Sequence, residues 1–160
     1  DLEKHLPKKL LTEEAETFAK KADKVVDDVV EDAAKAIKSG KGSTPTFEVS
    51  RQQYSNHAKM LENAKNEGHS FNGLERNSGT REERKNRYES QKAIRKAQGG
   101  PPSGFDYDEF PYASTRQGGS GAHVEPVPSA ENQAVGRDLG QFYLKNGIKE
   151  GDVFNIRIVE

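Results

Sequence analysis

Apolar residues recur at helical spacing from Ala15 to Ile37, through Phe18, Ala22, Val25, Val26, Val29, Val30 and Ala33. One sustained stripe of this kind predicts a long helix over 12–38. Thr12 suits its N-cap, Glu13 and Glu14 suit its first turn, and Lys38 with Gly40 suits its end,. Such a helix is about 40 Å long. Its apolar positions are mostly Ala and Val, so it packs thinly, either along the domain or against a partner helix. Residues 39–46, SGKGSTPT, read as a linker,. A short strand is expected at Phe47–Val49. A helix is expected at 51–66, capped by Ser50, with Tyr54, Ala58, Leu61 and Ala64 on one face,. Residues 70–80 read as loop, 81–97 as a third helix, and QGGPPSG at 98–104 breaks the pattern.

The densest pattern runs from Gly104 to Tyr143. An extended piece carries Asp106, Asp108 and Glu109. Pro111 and the Gly118-Gly119 pair bracket a connection over Tyr112–Gln117. Then His123, Glu125 and Val127 alternate with Ala122, Val124 and Pro126 on a short strand,. Pro128-Ser129 opens a helix that Asn146-Gly147 ends, with Ser129 expected at its N-cap,. Val153–Val159 alternates as a last strand. Strands and helices in this order predict an α+β fold with a small sheet.

Composition narrows the chemistry. Of 160 residues, 31% are hydrophobic and 32% charged, and mean hydropathy is −0.99, so the core is modest. Cysteine is absent, so disulfides and thiolate metal sites are excluded and any metal must be held by O or N ligands. No apolar run is long enough to span a membrane, and the first residues lack a signal-peptide core. The chain starts at Asp1 without a Met and reads as a piece of something longer. Formal net charge is −1, so an anionic partner needs a local patch. The third helix supplies one: Arg81, Arg84, Lys85, Arg87, Lys92, Arg95 and Lys96 stand against Glu82, Glu83 and Glu89, an excess of seven minus three, +4. Phosphate contact and an ordinary solvated face are both open readings of that charge.

Phosphodiester hydrolysis needs a base for water, stabilisation of the leaving oxygen, and cations on the phosphates. Asp108 as base, Asn132 as ligand of a hard cation, and Arg116 with the basic helix as phosphate holders meet that list. His123 competes for the base role, because His is the commonest general base. His57 and His69 read as packing or hydrogen-bonding residues. Each residue alone has a bland reading as a cap, turn former or surface group.

Several separated blocks together are more specific. Asp108-Glu109-Phe110-Pro111-Tyr112-Ala113-Ser114, Gly118-Gly119-x-Gly121-Ala122, Val127-Pro128-x-x-Glu131-Asn132 and Gly136-x-x-Leu139-x-x-Phe142-Tyr143 resemble, in order, the NucA/NucB deoxyribonuclease family. Tyr54…Ala58-Lys59, Glu67-Gly68-His69-Ser70 and Gly79-x-x-Glu82-Glu83-Arg84 also fit it. The resemblance covers about residues 47–159. It implies a ββα-metal (His-Me finger) nuclease that cuts DNA with little sequence preference, using Mg²⁺ or Mn²⁺. It places the base at Asp108 with Glu109 beside it as a catalytic candidate, and metal ligation at Asn132 with Glu131 and Gln141, in or near the motif, as further candidate ligands. It leaves 1–42 as a helical extension outside a nuclease domain at 43–160. An extended, cysteine-free nuclease looks like the toxic module of a larger secreted protein, delivered into a target cell and blocked by a cognate immunity protein. The alternative is a non-catalytic DNA-binding or helix-mediated adaptor module. The oligomeric state is open.

Overall fold

A computed structural model describes residues 43–160 without a gap, and Glu16, residues 19–22 and Lys24 before them. Those few earlier residues are helical and exposed; the helix expected over 12–38 otherwise lies outside the described residues. The chain divides into two units, Asp1–Ser43 and Thr44–Glu160, and the second carries the chemistry.

Its elements are β1 (Thr46–Ser50), α1 (Ser55–Asn66), β2 (Leu74–Glu75), α2 (Thr80–Gln98), β3 (Phe105–Phe110), β4 (His123–Pro128), α3 (Ser129–Lys145) and β5 (Val153–Val159). This is an α+β arrangement of two small sheets. In the first, β5 is central, parallel to β1 and antiparallel to β2. Its register opposes Phe47 to Ile156, Val49 to Ile158 and Leu74 to Phe154. Alternate residues of a strand share a face, so this register gathers Phe47, Val49, Leu74, Phe154 and Ile156 into the buried core,. The second sheet is the antiparallel pair β3–β4, with Asp108 opposite Glu125 and Asp106 opposite Val127.

The helices follow their apolar spacing. His57, Ala58, Met60, Leu61 and Ala64 are buried along α1, and Val135, Leu139 and Tyr143 along α3,. The rings of Phe71, Phe110 and Tyr112 meet edge to face at centroid distances of 5.4 and 5.2 Å, a favoured aromatic geometry. Among the described residues, no helix is long and apolar enough to cross a membrane.

Two expected caps are corrected. Helix α1 begins at Ser55 rather than residue 51, and Ser50 ends β1 instead; its Oγ accepts a bond from the Gln53 amide at 3.2 Å. Ser129 is the first residue of α3, behind Pro128, and its Oγ donates to Asp106 instead of capping the helix. The Ser129 hydroxyl found longer-range work that local spacing does not encode, 23 positions away, while Ser50 serves the turn that leads into α1. The stretch expected to be loop at 70–80 contributes β2, two residues too short to show an alternation.

Gly118 shows why the connection after β3 needs glycine. A Cβ there would lie 2.3 Å from the Tyr112 carbonyl oxygen. That oxygen also accepts Thr115 Oγ1 at 2.7 Å and the Thr115 amide at 2.9 Å. The turn is therefore wound tightly around the Tyr112 backbone.

Candidate active site

Strand β3 distributes its side chains by parity. Asp106 and Asp108 turn to α3 and α1, while Tyr107 and Glu109 turn to α2. A cleft of about 630 Å³ runs along β3, walled by α2 and α3. Asp106, Asp108, Glu109 and Asn132 line it, together with Arg76, Arg87 and Arg95. Carboxylates, an amide and three guanidinium groups thus meet in one concave site, the usual form of a catalytic pocket.

Asp108 is 6% exposed. Its Oδ2 lies 2.5 Å from His57 Nδ1, and His57 Nε2 lies 2.9 Å from the Tyr112 hydroxyl. His57 is 1% exposed, so this chain of contacts is closed to water. Asp108 Oδ1 receives no hydrogen bond from the described residues. Glu109 is also buried, and accepts from Gln91 Nε2 at 3.1 Å with Arg87 Nε 3.6 Å away. Burial pushes its carboxyl up to about 7, reinforced by the Asp108 charge and only partly offset by Gln91 and Arg87,. Tyr143 also lines the cleft; its hydroxyl is 2.8 Å from Ser114 Oγ, and burial raises it to about 12.

Asn132 stands on the first turn of α3, and its Nδ2 donates to Asp106 Oδ2 at 3.2 Å. Ser129 Oγ donates to the other Asp106 oxygen at 3.0 Å. Asp106 thereby fixes the amide and turns the Asn132 carbonyl oxygen away from itself. Among the described residues no group of three or more His, Asp or Glu is arranged to hold an ion. An amide oxygen beside acidic side chains nevertheless fits a hard cation that keeps most of its water, because such an ion needs few protein ligands.

The other expected site residues go elsewhere. Glu131 Oε1 accepts the His57 amide at 2.8 Å and its Oε2 accepts Asn56 Nδ2 at 2.9 Å. A carboxylate at the first turn of α1 satisfies an orphan amide and complements the helix dipole. Glu131→Ala should therefore cost about 1–2 kcal/mol of stability, measured by urea unfolding. An unchanged midpoint would show that the contact is dispensable. Gln141 is exposed and outside the cleft lining. It follows Asn132 by nine residues, about half a turn out of phase on a helix. Arg116 is outside the cleft too, paired with Glu75 at 2.9 Å and Glu150 at 3.2 Å. His123 sits outside it as well, with Nδ1 2.9 Å from Glu67 and Nε2 near Glu125 without hydrogen-bond alignment.

Two cleft residues escaped the sequence reading. His57 looked like a packing residue, and its partner Asp108 is 51 positions away. Arg76 supplies the cation that spacing assigned to Arg116; its guanidinium lies 4.5 Å from the Tyr143 ring centroid and Nη1 donates to the Ile148 carbonyl. The Arg76–Thr115 bridge puts Arg116 one residue beyond Arg76's partner, information carried only by the fold.

On α2, Arg84, Arg87, Tyr88, Lys92, Arg95 and Lys96 line an open groove. Arg87 and Arg95 belong to both groove and cleft, so the basic surface is continuous with the acidic centre. Arg81 is exposed and lines neither. Arg87 pairs with Glu83 at 2.9 Å, and Arg95 bonds Gln91 at 3.0 Å and covers the Tyr107 ring.

No curated protein matches this chain. The family model described as Deoxyribonuclease NucA/NucB matches residues 34–157, well over half of the sequence and all of the cleft. The chain belongs to the NucA/NucB deoxyribonuclease family.

Proposed function

We propose that this deoxyribonuclease is a divalent-metal-dependent endonuclease of the ββα-metal type, acting on DNA with little regard to sequence. The antiparallel β3–β4 pair followed directly by α3 supports the ββα reading. The observation that carries the chemistry is the meeting of Asp108 and Asn132 in one cleft rimmed by Arg76, Arg87 and Arg95.

Asp108 takes a proton from water as the water oxygen attacks phosphorus, and the bond to the leaving oxygen breaks. Asn132, with its amide held by Asp106, would hold the cation. A divalent ion there supplies charge stabilisation for the phosphate and the leaving oxygen. Arg76, Arg87 and Arg95 hold the phosphates beside the reacting one, and the groove on α2 extends that track.

Supercoiled-plasmid nicking tests this. Cleavage should require Mg²⁺ or Mn²⁺ and stop with EDTA; cleavage that persists in EDTA would overturn metal dependence. The groove has its own test. Arg84→Ala with Lys92→Ala leaves the Glu109 and Gln91 contacts intact. Binding to DNA in EDTA should weaken, and the slope of log affinity against log salt should flatten by about 0.9 per lost phosphate contact. An unchanged slope would return the groove to ordinary solvated surface.

A further inference from the structure

Asp108 does not stand alone in the wall of the cleft. Behind it, away from water, His57 and Tyr112 form a chain of polar contacts within an otherwise apolar core. Buried polar groups are costly unless satisfied, and this set is satisfied in only one economical way. A carboxylate oxygen only accepts, so His57 Nδ1 must donate to Asp108 Oδ2. Tyr112 then donates its hydroxyl proton to Nε2 of a neutral imidazole. Burial raises the Tyr112 phenol well above its usual value, which agrees with a phenol that keeps its proton and donates. The rings of His57 and Tyr112 are nearly parallel, with an interplanar angle of 8°, and the Tyr112 backbone is pinned by Thr115.

We propose that His57 is a positioning residue for catalysis: its Nδ1–H, oriented by the Tyr112 hydroxyl on Nε2, holds the Asp108 carboxylate in one rotamer and leaves Oδ1 to receive the proton of the attacking water. The proposal rests on Asp108 being the base. The general reason is that a catalytic group held loosely loses rate, even when all reacting groups are present. His57 itself touches no reacting atom. Its own placement comes from α1, whose first turn is held by Glu131 on α3. The base is thus set from three elements: β3 carries it, α1 clamps it, and α3 anchors the clamp.

The test uses two substitutions of one residue in the full chain. Asn places a side-chain amide near the position of Nδ1, so His57→Asn keeps a donor for Asp108. Gln reaches the position of Nε2, so His57→Gln keeps the Tyr112 contact and loses the one to Asp108. Plasmid nicking by His57→Gln should fall about 10–10²-fold in kcat with KM for DNA unchanged. His57→Asn should recover most of that loss. Wild type and Asp108→Asn run beside them. If wild type nicks and Asp108→Asn does not, equal rates for the Asn and Gln variants overturn the positioning role while the nuclease assignment stands. If wild type does not nick, both fall together. Should either variant fail to fold, the ¹⁵N spectrum of the wild-type imidazole decides: a protonated Nδ1 and an unprotonated Nε2 are expected, and any other protonation pattern overturns the proposal.

Discussion

Asp108→Asn should lower plasmid cleavage by about 10²–10⁴-fold, the usual cost of losing a general base, with little change in unfolding midpoint. The size follows from what Asn keeps and what it loses. Its amide oxygen can still accept from His57 Nδ1, so the buried contact at 2.5 Å is preserved in kind. Its shape is that of Asp, so the tightly packed wall between Tyr107 and Phe110 is undisturbed. It cannot accept a proton from water at neutral pH. Loss of rate without loss of fold therefore isolates the chemical role. The position opposite Asp108 on β4 is Glu125, which turns to Asn63 at 3.2 and 3.3 Å and is outside the cleft lining. Neither Glu125 nor His123 is placed to take over as base. Wild-type-like cleavage by Asp108→Asn would remove Asp108 from the mechanism and leave Glu109 as the remaining buried carboxylate of the cleft.

The fold was legible wherever one element satisfies itself. Phe47 and Val49 in β1, and Phe154 and Ile156 in β5, alternate cleanly because one face of each strand is buried,. The spacing of Ala58, Leu61 and Ala64 gave α1 for the same reason. Caps were legible only by composition, and composition does not say where a hydroxyl points: Ser129 reaches Asp106, 23 positions back. The site divided along the same line. Asp108 and Asn132 sit in separate blocks that follow one another in a fixed order, on β3 and on α3 beyond β4, so that order along the chain was enough to pair them. His57 and Arg76 reach the cleft from α1 and from the end of β2, through contacts that span 51 residues or a single bridge to Thr115. Nothing in local spacing encodes such contacts. Glu131 shows what the motif alone leaves out: adjacent helical positions diverge by about 100°, and the Glu131 carboxylate bonds the first turn of α1.

Glu109→Gln should make the protein more stable at pH 8, by about 3 kcal/mol, and leave stability at pH 4 almost unchanged. The carboxyl of Glu109 is raised from 4.5 to about 7 chiefly by burial. A folded-state value above the unfolded one means the folded chain binds the proton more tightly. The stabilisation from protonated Glu109 is therefore complete below about pH 4.5 and lost as pH rises through about 7. Gln is neutral at every pH and keeps an oxygen for the Gln91 amide, so the difference between the two proteins should open across that window and then stay level. All five tyrosines lie between Tyr54 and Tyr143, and tryptophan is absent. Tyrosine fluorescence during urea unfolding thus reports on the Thr44–Glu160 unit of the full chain. A stability difference that does not change with pH would show that Glu109 is not raised. The same shift bears on substrate. A phosphodiester entering this cleft meets Asp106, Asp108 and Glu109, and a neutral Glu109 removes one of three repulsions at short range. The wild-type KM for DNA should then rise above pH 7, while that of Glu109→Gln should stay flat across the same range.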